Sequence, residues 1–227
     1  MYVPPHFREP DEAKLLDVIR EHGFAVLVCR NATGRMLATH LPLTLVVDDA
    51  GQRILRGHVS RANLIWQSFS REGNESGEAL AIFSGPHSYV SPRWYNHVNV
   101  PTWNYIAVHA YGVPRVIADD AELRAAMKGL VDQYESETGI PAPYRMEDLP
   151  EDFLRSQIKG IVVFEMPIAR LEASFKLSQN RDAESHANVM AELQQSGDSA
   201  AVEVAEAMRK HGKTEMNSTE MKQREMK

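Results

Sequence analysis

The chain holds one cysteine, Cys29, so no disulfide can form within it, and nothing in the sequence asks for an oxidising compartment. Long apolar runs are also missing. No stretch reaches the length of a membrane span, and the opening Met1-Tyr-Val-Pro-Pro-His-Phe7 has neither the charged nor the apolar region of a secretory leader. Both absences point to the cytoplasm. Basic charge is short: 25 Lys and Arg against 31 Asp and Glu leave a formal net charge of -6. That balance counts against a dedicated nucleic-acid surface, although it leaves room for a local basic patch. The histidines include no H-E-x-x-H pair, and a Gly-x-Ser-x-Gly elbow, a P-loop and a G-x-G-x-x-G turn are all absent. A single cysteine excludes a Cys-rich zinc site, and no metal is expected.

What is present suits a globular chain of 227 residues with one sizeable core. Asp11 to His22 predicts a helix capped by Asp11 and stopped by Gly23. Phe24 to Arg30 reads as a buried strand, and Met36 to Val47 as one alternating strand. Asp48-Asp49-Ala50-Gly51 is a hairpin turn with Arg53 to Ser60 returning from it. A helix is expected over Arg61 to Arg71, then a polar loop over Glu72 to Gly77 and a strand over Ala79 to Phe83. Gly85 to Thr102 reads as a functional loop. Trp103 to Ile117 predicts a long strand disturbed at Pro114. Asp119 opens a helix to about Glu137, a short helix covers Glu151 to Lys159, and the last strand region is Gly160 to Leu177. Asp182 to Gln195 and Ser199 to Lys210 are amphipathic. Lys213 to Lys227 is polar and frayed in character. Six or more antiparallel strands with inserted helices predict an α+β fold built on a β-barrel.

Four clusters mix polar groups with aromatics where a plain core would not. They are Ala38 to Pro42; Gly57 to Asn63 with Trp66; Gly85 to Tyr95 continued by Val100 to Tyr105; and Phe175 to Arg181. Their chemistry suits a flat, anionic, heteroaromatic ligand. Arg61 and Lys176, with the hydroxyls of Ser60 and Ser91, are the types that bind phosphate. Tyr89, Trp94, Tyr95 and Trp103 could cover a ring system, and Asn63, Asn104 and Gln179 could meet its edges. Strand alternation puts Lys176 and Ser178 together on a polar face, and Trp103, Tyr105 and His109 together on another. Trp66 reads as a core residue in a helical apolar stripe, His40 and His58 as hydrogen-bonded strand histidines, Arg93 and Arg181 as members of surface ion pairs, and Cys29 as an inert strand thiol.

These clusters, in this order, resemble the PaiB-like family of FMN-binding negative transcriptional regulators. The resemblance rests on Met1 to Phe7, Ala38 to Pro42, Gly57-His58 with Arg61 to Asn63, Phe83 to His87, Tyr89 to Tyr95, Val100 to Tyr105 and Lys176 to Asn180. It runs to about residue 210. It implies a split β-barrel like that of pyridoxamine phosphate oxidases and flavin reductases, with FMN held in the groove of a homodimer. It also implies Arg61, Asn63, Ser91, Trp94, Thr102, Trp103, Lys176 and Gln179 as flavin or dimer-groove positions. The expected organisation is an FMN-binding barrel over 1–180, helices packed on it over 181–212, and a disordered tail over 213–227.

Three functions follow from that resemblance. The first is an FMN-binding regulator acting on transcription directly or indirectly, although the acidic charge and the want of a helix-turn-helix give no account of DNA contact. The second is an FMN-dependent oxidoreductase, with His58, His87 or Tyr95 as a proton donor. The third is haem binding or breakdown, with His186 or His211 as axial ligand. Catalytic residues stay unassigned.

Overall fold

The computed structural model describes residues 1–70 and 77–211. The loop expected over Glu72 to Gly77 (Gly77 apart), the end of the helix expected to Arg71, and the tail expected over 213–227 lie outside those residues. The chain divides into two compact units, each assembled from separate segments. The larger comprises Asp11–Phe83 and Val108–Glu172; the smaller comprises Met1–Pro10, Ser84–Ala107 and the residues from Ala173 onward.

The larger unit contains strands β1 (Phe24–Arg30), β2 (Met36–Pro42), β3 (Thr44–Val47), β4 (Arg53–Ser60) and β7 (Arg115–Val116). It also holds the start of β5 (Ala79–Val90) as far as Phe83, the end of β6 (Thr102–Gly112) from Val108, and β8 (Ile161–Lys176) as far as Glu172. The sheet has eight strands in the order β2-β1-β5-β6-β8-β4-β3, with β7 paired to β8. The fold class is α+β, with an antiparallel sheet of the split-barrel type. Its helices are α1 (Glu12–Glu21), α2 (Asp120–Glu137) and α3 (Glu151–Lys159). Asp11 and Asp119 cap α1 and α2 by accepting from backbone N–H groups of Ala13 and Glu122. The face of α2 bearing Leu123, Ala126 and Met127 packs on Ile117 and Val163. Burial of Ile117 and Val163 there contributes about 1.5–3 kcal/mol each.

Several sequence expectations change here. Met36 to Val47 is two strands. Pro42 has no N–H to donate to the β1 ladder; the Leu43 N–H donates to Gly23 O at 2.8 Å, one pair beyond Phe24–Pro42, and from Thr44 the chain pairs with β4 as β3. The helix expected from Arg61 shrinks to a 3₁₀ turn, Leu64–Ser68. Asn63 accepts from the Ile65 N–H, and the Ser70 N–H departs to Pro114 O at 2.7 Å. The strand begun at Ala79 runs to Val90, taking in the first part of the loop expected over Gly85 to Thr102. Gly85 permits this, since a Cβ there would stand 3.0 Å from Ile106 Cβ. The strand from Trp103 stops at Gly112, where a Cβ would stand 2.2 Å from Pro167 O; beyond Pro114 the chain resumes as β7.

Glu165 on β8 is 1% exposed and lies opposite Arg56 of β4 on one side and Arg115 of β7 on the other. Its two oxygens accept from Arg56 Nε at 3.2 Å and Arg115 Nε at 2.7 Å. A carboxylate desolvated to this degree persists only with such partners, and the triad fixes the β4-β8-β7 register.

The smaller unit has its own core. Helices α4 (Ala183–Gln195) and α5 (Ser199–His211) enclose Val189, Leu193, Val204, Ala205 and Met208, with Phe175 and Leu177 from the C-terminal end of β8 and beyond. Phe175 meets the His211 ring edge-on at 5.1 Å.

Candidate functional site

The end of β8 and the turn after it supply the first part of the site, all within the smaller unit. Lys176 is half-buried, and its ammonium donates to Thr102 Oγ1 at the start of β6. It lies 5.8 Å from the centroid of the Phe7 ring. Among the described residues no carboxylate pairs with it. Burial first, and then the positive charge of Arg181, push its amine below the ordinary lysine value. A cation that is partly desolvated, faced by another cation and matched only with a hydroxyl is an incomplete ion pair. An anion with several acceptor oxygens would complete it.

The chain reverses directly after Lys176. Ser178 adopts φ +61°, the left-handed region that few non-glycine residues enter. It therefore does not share a polar face with Lys176, as strict alternation would have it; the strand has ended, and Ser178 is buried. Its hydroxyl donates to Asn104 Oδ1 at 3.1 Å, and Asn104 Nδ2 lies 3.5 Å from Met208 Sδ. Asn104 is fully buried and serves this turn, not a ligand edge. Gln179 closes the same turn, its Oε1 accepting from the Leu177 N–H at 2.7 Å while its Nε2 donates to Phe175 O.

The second part is the segment from Ser91 to Tyr105. Ser91 Oγ accepts from the Arg93 N–H at 3.3 Å and caps the single turn Pro92–Trp94. Trp94 is half-buried there. Asn96 ties the following loop to the start of α4: its Nδ2 donates to Glu184 Oε2 at 2.8 Å, and its Oδ1 accepts from Ser185 Oγ at 2.8 Å. Neither Asn96 nor Ser185 was singled out from sequence; a serine three residues after the cap Asp182 is the signal that could have drawn notice. Arg181, which the sequence suggests for a surface ion pair, lies 5.1 Å above the Tyr95 ring. The Tyr95 hydroxyl is buried and has no hydrogen-bond partner among the described residues.

Exposed aromatics form the third part. Trp103 is 52% exposed, and the Tyr89 ring meets it edge-on at 6.2 Å. The His87 ring lies 6.4 Å from it. His87 Nδ1 is 3.2 Å from Gly85 O. A carbonyl only accepts, so the contact is a hydrogen bond donated by Nδ1.

Lys176, Thr102, Gln179, Ser91, Trp94 and Trp103 thus all lie in the smaller unit, with Lys176 and Thr102 in direct contact. Arg61 and Asn63 lie in the larger unit. Arg61 donates through Nε to Lys159 O at 2.9 Å and through Nη2 to Ile161 O at 2.8 Å, which ties the end of β4 to the α3–β8 junction. Asn63 Nδ2 donates to Thr39 Oγ1 at 3.0 Å, and Trp66 Nε1 donates to Arg61 O at 3.0 Å. His58 Nδ1 is buried with no hydrogen-bond partner among the described residues, and desolvation lowers its pKa. Cys29 is buried, its thiol pushed up to about 12, so it is protonated and unreactive. Among the described residues no helix is long and apolar enough to cross a membrane, and no group of three His, Cys, Asp or Glu side chains is placed to hold a metal.

The donor set of the smaller unit fits a phosphorylated flavin: a cation short of an anion, a hydroxyl beside it and exposed ring faces. Comparison with known proteins bears on the same point. Residues 1–170 match the family described as "Putative FMN-binding domain". Protease synthase and sporulation protein PAI 2 of Bacillus subtilis is 35% identical over 208 residues, covering 92% of this chain and 96% of that protein. Protein AN0679 of Emericella nidulans is 28% identical, covering 93% of this chain and 98% of its own. The FAD and haem binding protein of Mycobacterium smegmatis superposes with a TM-score of 0.56 at 16% identity, over 79% of this chain and 78% of that one. The flavocytochrome Anf3 of Azotobacter vinelandii gives 0.54 at 16% identity, over 82% and 78%. At such identities the likeness to both structures is one of fold alone.

Proposed function

The chain belongs to the FMN-binding domain family, and on that premise we propose that it is an FMN-binding regulatory protein, cytoplasmic and homodimeric, that acts on gene expression directly or through a partner. One observation carries the cofactor reading: Lys176 is partly buried beside Thr102 and Arg181 without a carboxylate to neutralise it. The FMN phosphate supplies the missing charge, and Trp103 and Tyr89 offer faces for the ring system. Ser91, Trp94 and Gln179 shape that region, and Arg61 and Asn63 are proposed as further positions toward the cofactor. Bound FMN would supply redox chemistry and a visible chromophore; the protein's part is to hold the phosphate and orient the ring.

The regulatory part of the proposal draws support from the Bacillus subtilis relative, which is named for protease synthase and sporulation. With a net charge of -6, any DNA contact would have to use a local basic patch. The decisive experiment is a visible spectrum of the purified protein with an FMN titration. A flavin spectrum with stoichiometric uptake is expected, and a colourless protein that ignores FMN refutes the reading. A mobility-shift titration across salt concentrations separates direct from indirect regulation.

A second reading, FMN-dependent oxidoreductase, has one observation in its favour. The His87 ring, its Nδ1 3.2 Å from Gly85 O, lies beside the exposed Trp103 ring, where its other nitrogen could exchange a proton with a bound flavin. Reduction of bound FMN by a nicotinamide cofactor tests it. The haem reading is weaker, since the His211 ring is packed against Phe175.

A further inference from the structure

The larger unit carries a cleft that the flavin reading does not use. It has a volume of about 400 Å³ and opens between α2, the single turn Met146–Asp148 and the start of α3. Its wall on α2 is Arg124, Ala125 and Lys128; Met146, Leu149 and Leu154 line it from the other side. All of these lie within Val108–Glu172, so the cleft belongs to one unit. Met146 and Leu154 are buried, yet they border a space that a packed interior would not leave.

Two ion pairs span this space. Arg124 grips Glu151 with both terminal nitrogens, at 2.8 and 3.3 Å, and Lys128 reaches Glu147 at 3.2 Å. Each pair crosses from α2 to the opposite wall, so charged side chains space the two walls above an apolar floor. The charges are matched within the protein. Arg124 has Asp120 as a second partner, Lys128 has Asp132, and Glu151 has Arg155. The bond from Arg124 keeps the Glu151 carboxyl below its ordinary range, so it stays ionised and paired near neutrality. A charged ligand would have to break such a pair or give up its own hydration unpaired; a neutral one leaves the rim intact.

We propose that this cleft is a binding site for a small, neutral, apolar molecule of one or two rings, separate from the flavin region and independent of it. Size and lining select that class. Ligand sites commonly enclose about 300–1,000 Å³ and are lined mainly by apolar groups. An apolar cavity of about 150 Å³ already takes up benzene, so this cleft has room for a second ring.

The test follows the Met146 methyl group by NMR in the full chain labelled at its methionine methyls, with Met146→Leu identifying the signal. Indole is the neutral probe and indole-3-acetate its carboxylate counterpart. Indole should shift the Met146 signal saturably, and indole-3-acetate should bind at least about tenfold more weakly. Ala125→Trp, at an exposed position on the α2 wall, fills the cleft and should abolish the indole shift. Ser136→Trp, also exposed and about three turns further along α2, should retain it. Circular dichroism checks that both variants fold. A Met146 signal that indole leaves in place, or that still shifts in folded Ala125→Trp, overturns the proposal. So does indole-3-acetate binding as tightly as indole, since the cleft would then take an anion. FMN titration of the same samples reads the flavin region separately, so failure of the cleft and failure of flavin binding are told apart.

Discussion

Ser178 donates to Asn104 Oδ1 at 3.1 Å, and that buried bond holds a serine in left-handed backbone two residues beyond Lys176. Without it the turn would relax, and Lys176 would lose its fixed aim at Thr102. Ser178→Ala strands the Asn104 oxygen, so stability should fall by about 1–3 kcal/mol. Ser178→Gly loses the same bond but relieves the φ cost, and should be the milder by about 1 kcal/mol. Chemical denaturation of both variants checks the order, and a double cycle with Asn104→Ala should be strongly non-additive. Additive losses would show that the two side chains do not act as a unit.

Much of this fold is legible in the sequence because its signals are local. Asp11, Asp119 and Asp182 each cap the helix that follows, and Gly51 takes φ +77° in the predicted hairpin turn. The extended faces of β6 also follow from period-two alternation, with Asn104, Ile106 and Val108 inward. What fails is set by contacts distant in sequence. Leu43 bonds to Gly23 at the point where β2 gives way to β3, and Ser70 bonds to Pro114 in place of a helical carbonyl; no window of ten residues contains either bond. The site divides along the same line. Residue types single out Lys176 and Trp103 as candidate ligand groups, but the internal use of Asn104, Gln179 and most of the Arg61 fork appears only once their partners are known.

Lys176 sets a pH dependence. Burial and Arg181 lower its pKa in the free protein, and a bound phosphate would raise it again, so binding takes up a proton between the two values. FMN affinity should therefore be highest at the acid side of that window and fall as pH rises toward the ordinary lysine range. Lys176→Ala should cost about 2–5 kcal/mol of binding near neutrality. Lys176→Arg, which stays protonated, should flatten the alkaline limb. Fluorescence titration of FMN between pH 6 and about 10 measures both effects. Unchanged affinity in Lys176→Ala would move the phosphate elsewhere.

Arg61 separates structural from ligand roles. Two of its nitrogens already serve the carbonyls of Lys159 and Ile161. Arg61→Ala should lower unfolding stability by about 1–3 kcal/mol, as expected for losing charge-assisted bonds to backbone. Its effect on FMN affinity should be smaller than that of Lys176→Ala. Urea denaturation and flavin titration of the same preparation decide. A stability equal to wild type with a large loss of flavin would make Arg61 the principal phosphate ligand.

Trp103 offers the cleanest contrast, because its ring is half in solvent and owes little to the core. With 52% of it exposed, Trp103→Ala should change stability by no more than about 0.5 kcal/mol. If the ring covers a bound flavin, the same change should weaken FMN by about 0.5–1.5 kcal/mol, the usual worth of an aromatic contact beyond buried area. It should also relieve quenching, so bound flavin would fluoresce more strongly than in the wild type. Trp103→Phe should keep most of the affinity, since a flat ring remains beside Tyr89 and His87. Equal quenching in wild type and Trp103→Ala would place the isoalloxazine away from this face, while leaving the phosphate at Lys176 untouched.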